Sequence, residues 1–343
     1  MTSSAHHAAQ LDTVALARYL ENQLPGFKGP VTAEKTLTGQ SNPTFVLTSP
    51  SGRYVLRKKP PGQLLKSAHA VDREYRVMRA LQDTDVPVPR MLILCEDDSV
   101  LGTAFFVMAF VHGIVFWDPS LPELDKAQRA EVYDQQNKAL AALHLVEPAR
   151  VGLAGFGKAG SYFARQRDRW TKQYRASETE HLPDMETLIH WLEQNEPPDD
   201  GRACLVHGDY RIDNMIFKPD GSELMAVIDW ELSTIGHPFS DLAYQCMQWR
   251  FPNHETMRGL ANLDRRALGI PTEADYIAKY CARVGIAGIP NWNFYLAFSF
   301  FRLAAIVQGV KKRGLEGNAS NPEKALKSGE RVPLMAKMGV AVI

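Results

Sequence analysis

Three oxygen-bearing side chains set the chemistry this sequence could carry. Within residues 207–231, HGDYRIDNMIFKPDGSELMAVIDWE, Asp209 is followed five positions later by Asn214, and Asp229 lies beyond a turn. A carboxylate placed like Asp209 could accept the proton of an attacking hydroxyl. An amide oxygen and a second carboxylate are the hard ligands that Mg²⁺ takes alongside phosphate and water. Phosphoryl transfer asks little covalent help of a protein beyond these groups, because its catalysis is mostly positioning and charge stabilisation.

The elements between the three residues explain their spacing. Met215-Ile216-Phe217 reads as a short strand, Lys218-Pro219-Asp220-Gly221 as a turn, and Leu224 to Ile228 as a returning strand. Such a hairpin would bring Asn214 and Asp229 together. Any single Asp more commonly caps a helix or closes a turn, but the ordered set with a hairpin inside it favours chemistry.

His207-Gly208-Asp209 with Asn214, followed by Ile228-Asp229-Trp230-Glu231, resembles the aminoglycoside phosphotransferase and choline kinase family, relatives of the protein kinases. The longer strings Leu205 to Asn214 and Asp229 to Gly236, with Gln40-Ser41-Asn42-Pro43-Thr44-Phe45, look like the kinase domains associated with some acyl-CoA dehydrogenases. The likeness covers roughly residues 28 to 320. It implies an α+β, bilobal protein-kinase-like fold, with an antiparallel-sheet N-lobe carrying one main helix and a mostly helical C-lobe. The expected domains are an N-terminal extension and helix over 1–27, a nucleotide-binding N-lobe over 28–111, and a C-lobe with the catalytic loop and acceptor site over 112–343.

Upstream, a helix opened by Asp12 runs to about Leu24, and strands are expected at Val31–Thr38, Pro43–Thr48 and Arg53–Lys58, the last two forming a hairpin. Gly39-Gln40-Ser41-Asn42 joins the first two strands and is polar and pliable enough to approach phosphates, although a Gly there is ordinarily just a turn residue. The family places its phosphate-covering loop at this position. Family alignment also puts Arg57 where many kinases carry a phosphate-binding Lys. Arg and Lys are not equivalent in that role, and Lys58 would take it if a bulge reversed the alternation of the strand. On the helix from about Ala68 to Leu81, Glu74 shares a face with Val71, Met78 and Leu81 and is expected to pair with Arg57. After the strand Ala104–Val111 the family has its hinge, which implies that the backbone of Phe110 and Val111 pairs with the adenine edge and that Met108 shapes the slot. By apolarity alone these three are core residues. Asp241 opens a later helix and is read as a tie for the catalytic loop.

Composition bounds the alternatives. At 343 residues, 45% hydrophobic and 23% charged, the chain suits a globular protein large enough for two lobes. Thirty-nine basic and thirty-nine acidic residues cancel, which leaves no electrostatic case for nucleic acid or an anionic membrane. No apolar run reaches the ~20 residues of a spanning helix: the longest nearly unbroken one is Ala104 to Val111, and another, Phe294 to Val307, is cut by Arg302. The opening MTSSAHHAAQ lacks the layout of a secretory signal. Cys95, Cys204, Cys246 and Cys281 are scattered without a paired motif, and a reducing cytoplasm is expected. Between Phe239 and Phe300, five acidic residues face six basic ones, so no clustered carboxylates await a polycation.

The expected activity is an ATP- and Mg²⁺-dependent small-molecule kinase, with Asp209 as base and Asn214 and Asp229 as metal ligands. Its partner is a small hydroxyl substrate, with a hydroxyacyl-CoA thioester favoured. The rivals are an aminoglycoside-type kinase and a nucleotide-binding pseudokinase, the latter supported only by Arg57. Arg165, Arg169, Lys172 and Arg302 are expected to be solvated or salt-bridged.

Overall fold

A computed structural model describes residues 11–36, 42–60, 70–254, 257–319 and 321–343. The chain falls into two compact units, one made of Met1–Asp83, Val88–His112 and Asp229–Glu231, the other of Thr84–Pro87, Gly113–Ile228 and Leu232–Ile343.

The first unit contains α1 (Thr13–Gln23), β1 (Thr32–Lys35), β2 (Thr44–Ser49), β3 (Gly52–Lys58), α2 (Val71–Leu81), β4 (Met91–Cys95), α3 (Asp98–Leu101) and β5 (Phe105–Ala109). Its five strands pair antiparallel in the order β1-β2-β3-β5-β4. Asp12 starts α1 by accepting the N–H groups of Val14 and Ala15 at 3.1 and 2.9 Å, as N-cap aspartates do. One turn apart on that helix, Leu16 and Leu20 are buried in one cluster with Leu47, Leu56, Phe105 and Val107 of the sheet. Because side chains alternate along a strand, burying Leu56 on that face turns Arg57 to the other. On α2 the buried positions Val71, Glu74, Val77, Met78 and Leu81 form a single helical stripe. Glu74 is therefore an acid within an apolar face. Before β5 the chain makes the single helical turn α3, capped by Asp97 and ended by Gly102 at φ 79°.

The second unit runs through α4 (Lys126–Leu145), α5 (Tyr162–Ser177), α6 (Pro183–Gln194), β6 (Cys204–Val206), β7 (Met215–Phe217), β8 (Leu224–Val227), β9 (Thr234–Gly236), α7 (Phe239–Cys246), β10 (Asn253–His254), β11 (Met257–Arg258), α8 (Arg265–Leu268), α9 (Glu273–Val284), α10 (Trp292–Leu315), α11 (Pro322–Gly329) and α12 (Val332–Val340). The expected hairpin is present as β7 and β8, while β6 pairs with β9. The helix that Asp241 was expected to open, α7, ends at Cys246 and tightens into a 3₁₀ turn at Met247–Trp249. Helix α10 is long and apolar enough to cross a membrane, yet 67% of its apolar window is buried in the protein. Phe163 of α5 packs against Phe294, Tyr295 and Phe298 of α10, with ring centroids 5.1–5.4 Å apart. It is a core helix.

Candidate active site

Strand β6 delivers the chain into His207-Gly208-Asp209, and that loop is held by its own His207 and by two side chains from other elements. Asp241, buried in the first turn of α7, accepts the N–H of His207 at 2.6 Å and of Gly208 at 2.9 Å. His207 accepts the Asp209 N–H on Nδ1 at 3.1 Å. Its ring proton therefore sits on Nε2, which donates to the Ile228 carbonyl at 2.9 Å. Arg302 of α10 donates from Nη2 to the Gly208 carbonyl at 2.5 Å, with its guanidinium 5.7 Å from the Trp170 ring and 5.3 Å from that of Tyr244. Arg302 was expected to be solvated or salt-bridged. It is 5% exposed, and its described hydrogen bond is to a backbone carbonyl. Gly208 has φ +87°, and a Cβ there would meet the Leu232 carbonyl oxygen at 2.6 Å, so the turn admits glycine alone.

Asp209 leaves this braced loop half-buried. Asn214, set by the 3₁₀ turn Ile212–Asn214, donates from Nδ2 to the Asp209 carbonyl oxygen at 2.9 Å and to its carboxylate Oδ2 at 3.0 Å. The structure thus brings these two expected residues together. With its nitrogen committed, the Asn214 side chain keeps an oxygen to offer a cation. Burial raises the Asp209 pKa, but the Arg211 guanidinium, the Tyr244 hydroxyl, His207 and Arg302 outweigh it and hold the carboxyl below its ordinary value. Asp209 is a carboxylate, an acceptor only, near neutral pH. Asp241 is held low as well, His144 and His207 and the Gly208 N–H overcoming the effect of burial.

Asn214 also accepts the Ile228 N–H on its carbonyl at 2.9 Å, and Asp229 is the next residue in the chain. Asp229 clusters with the first unit and has φ +67°, a left-handed conformation that costs most residues energy but that Asp tolerates. Such outliers gather at functional sites. Arg57 reaches Glu74 with Nη1 at 2.7 Å, and Asp229 and Glu231 with Nη2 at 2.8 and 3.4 Å. The expected Arg57–Glu74 pair is present, and the further contacts to Asp229 and Glu231 were not foreseen. Burial acts to lower the Arg57 pKa, but the three carboxylates reverse this and raise it. At Glu74 burial prevails over Arg57 and pushes the carboxyl up. Lys58 points away and donates to the Leu101 carbonyl at 2.9 Å, so β3 carries no bulge that would exchange the two.

The remaining expected residues are dispersed along the first unit. Gly39, Gln40 and Ser41 lie outside the described residues, and Asn42 is buried at 1% exposure. Met108 is half-buried in β5 opposite Val55 and Met91. Phe110 donates its N–H to the Arg53 carbonyl at 3.4 Å and lies under the Arg53 guanidinium, 3.9 Å from its ring centroid. Val111 follows, half-buried.

Comparison with known proteins fits this geometry. Residues 33–276 match the family described as "Phosphotransferase enzyme family". Mouse acyl-CoA dehydrogenase family member 10 is 48% identical over 326 residues, covering 94% of this chain and 30% of that protein. The chain thus spans under a third of that relative. A crystal structure of a putative aminoglycoside phosphotransferase from Ralstonia eutropha superposes with a TM-score of 0.88 at 48% identity, covering 97% of this chain and 98% of the other. Choline kinase from Cryptosporidium parvum shares the fold at a TM-score of 0.65 and 14% identity, over 95% and 97% of the two chains. The α+β architecture is therefore of the protein-kinase-like kind.

Proposed function

Because this chain belongs to the phosphotransferase enzyme family, we propose that it moves the γ-phosphoryl group of ATP to a hydroxyl of a small molecule. The observation that carries the reading is the Asp209 carboxylate, held low in pKa and aligned by the Asn214 amide on a loop tied through Asp241, His207 and Arg302.

Asp209 is the general base that orients the acceptor hydroxyl and takes its proton. Asn214 and Asp229 are the Mg²⁺ ligands, and the fit is one of donor type, an amide oxygen and a carboxylate being what Mg²⁺ prefers. Bound there, the ion would neutralise phosphate charge. Arg57 holds the phosphates and is aimed by Glu74. Its contact with Asp229 supports phosphates bound beside that carboxylate. Gly39, Gln40, Ser41 and Asn42 are assigned to the phosphates, and the backbone of Phe110 and Val111 to the adenine edge with Met108 beside it. The four cysteines are free and buried, which fits a reducing cytoplasm.

For the acceptor we favour a hydroxyacyl-CoA, since the curated relative bears an acyl-CoA dehydrogenase name and a fused activity working on the same thioester would share its scaffold. The name of the Ralstonia structure supports an aminoglycoside as the second reading, against which stands the near balance of acidic and basic residues over 239–300.

The test is to incubate the protein with ATP and Mg²⁺ and with hydroxyacyl-CoAs, choline-like alcohols and aminoglycosides in turn, detecting phosphorylated products by mass. Product is expected from the hydroxyacyl-CoAs. Asp209→Asn should retain ATP binding and lose turnover by roughly 10²-fold or more. Turnover that survives the substitution removes Asp209 from the role of base.

A further inference from the structure

Next to Asp209, wholly within the second unit, lies a cavity of about 360 Å³. It begins at two residues that already address the base. Tyr244 hydrogen-bonds the Asp209 carboxylate, and Arg211 places Nε 3.5 Å from Asp209 Oδ1. From there the wall is apolar, with Met247, Phe251, Leu303 and Val307 along it. Among the described residues, three guanidinium groups, of Arg211, Arg258 and Arg331, line the same cavity against one acid, Asp213. Asp213 is committed to Arg211, its Oδ2 lying 3.1 Å from Nη2.

Arg331 comes from the turn between α11 and α12, where it donates to Ser328 Oγ at 3.1 Å. Burial first, and then the positive charge of Arg211, depress its pKa. Two guanidiniums that disfavour each other in a partly desolvated wall are an arrangement that an incoming anion would relieve, and the planar fork of Arg suits carboxylate and phosphate oxygens. The apolar wall beside them suits a hydrocarbon skeleton.

Resting on the phosphotransferase reading, we propose that this cavity is the acceptor site and that Arg211 and Arg331 select an alcohol bearing a carboxylate or phosphate on an apolar skeleton. In the transfer, the acceptor oxygen bonds to the γ-phosphorus as the bond from that phosphorus to the β,γ-bridging oxygen breaks. The hydroxyl proton passes to Asp209, and ADP departs with the bridging oxygen. The anionic group remote from the hydroxyl takes no part in the bond changes and is held by the two arginines.

Four probes of one chain length separate the elements of this proposal: an ω-hydroxyoctanoate, the matching diol, the matching amino alcohol and the matching hydroxyalkyl phosphate. Each is assayed for ATP-dependent phosphorylation and titrated calorimetrically into the Asp209→Asn protein. The two anionic probes should exceed the diol in kcat/KM, and the amino alcohol should rank last. Their order relative to each other tells carboxylate from phosphate. In Arg331→Met the ratio of kcat/KM for the anionic probes over the diol should fall about tenfold, the scale of one lost charge-assisted hydrogen bond, and Arg331→Glu should turn the preference toward the amino alcohol. Equal affinity for all four probes, or an Arg331→Met ratio that stays constant while every acceptor drops together, overturns the proposal. Anion-selective binding without phosphorylation of any probe would overturn the cavity as the acceptor site, whereas the phosphotransferase reading itself fails only if the hydroxyacyl-CoAs, choline-like alcohols and aminoglycosides also give no product. Should the variants not fold, the ranking on the unaltered protein still decides.

Discussion

Arg57 is bound on three sides by carboxylates inside a wall where its own side chain is 10% exposed and that of Glu74 1%. Arg57→Met would remove the partner that three carboxylates share, and because burial already pushes the Glu74 carboxyl up that group would take a proton rather than stay charged, for a loss of about 1–3 kcal/mol, measurable as a lowered urea midpoint. Arg57→Lys keeps the charge but, as a point charge, cannot serve Glu74 and Asp229 from two ends of a fork, and should fall between. An unshifted midpoint in Arg57→Met would mean the cluster contributes nothing to folding. Arg302→Met leaves the Gly208 carbonyl without its described donor, costing about 1–3 kcal/mol. It should also reduce kcat by roughly tenfold or more, because the loop holding Asp209 loses a tether; a variant with depressed melting temperature and unaltered kcat would make Arg302 purely structural. The Arg57–Glu74 pair was legible because strand alternation and a helical stripe each fix a direction, and the resemblance supplied the match. Arg302 was not. A lone cation in an apolar helix says nothing of an acceptor that is a backbone carbonyl 94 positions away.

At the level of elements, the loop after β6 and the first turn of α7 are joined through one buried carboxylate. Asp241 titrates lower in the folded protein than its ordinary value, so the folded chain releases this proton more readily than the unfolded one. The stabilisation is complete above the unfolded value of about 3.9 and fades as pH falls through the folded one. Melting temperature recorded against pH should therefore drop steeply on the acid side for the natural protein and less steeply for Asp241→Asn, which should also melt lower near neutrality. Parallel acid limbs would remove Asp241 as the titrating tie. The β7–β8 hairpin could be read from its turn chemistry and flanking apolar runs, and α4, α9 and α10 from their length and period. Strands β6 and β9 are three residues each, too short to show alternation. α11 and α12, which flank the Arg331 turn, are eight and nine residues long, too short for their period to stand out among mixed charges. With them went the cationic side of the cavity beside Asp209.

For the molecule as a whole, ligands that bind only the folded state add stability by mass action. ATP with Mg²⁺ at about a hundred times its Kd should contribute about 2.7 kcal/mol, seen as a rise in melting temperature, and Asp229→Ala should shrink the Mg²⁺-dependent part of that rise. An increase identical with and without the metal would separate Asp229 from metal binding. The α+β class and the sheet of the first unit were recoverable from hairpin signals and the kinase-type string. The cluster that Asp229–Glu231 forms with Arg57 was not, since sequence proximity ties those residues to the hairpin before them. That three-residue strap has a practical corollary for anyone dissecting the gene. A fragment cut after His112 would encode every strand of the five-stranded sheet and yet strip Arg57 of two of its three acidic neighbours. Such a product should need residues 229–231 grafted back, or supplied as a peptide, before it regains the cohesion of the intact protein.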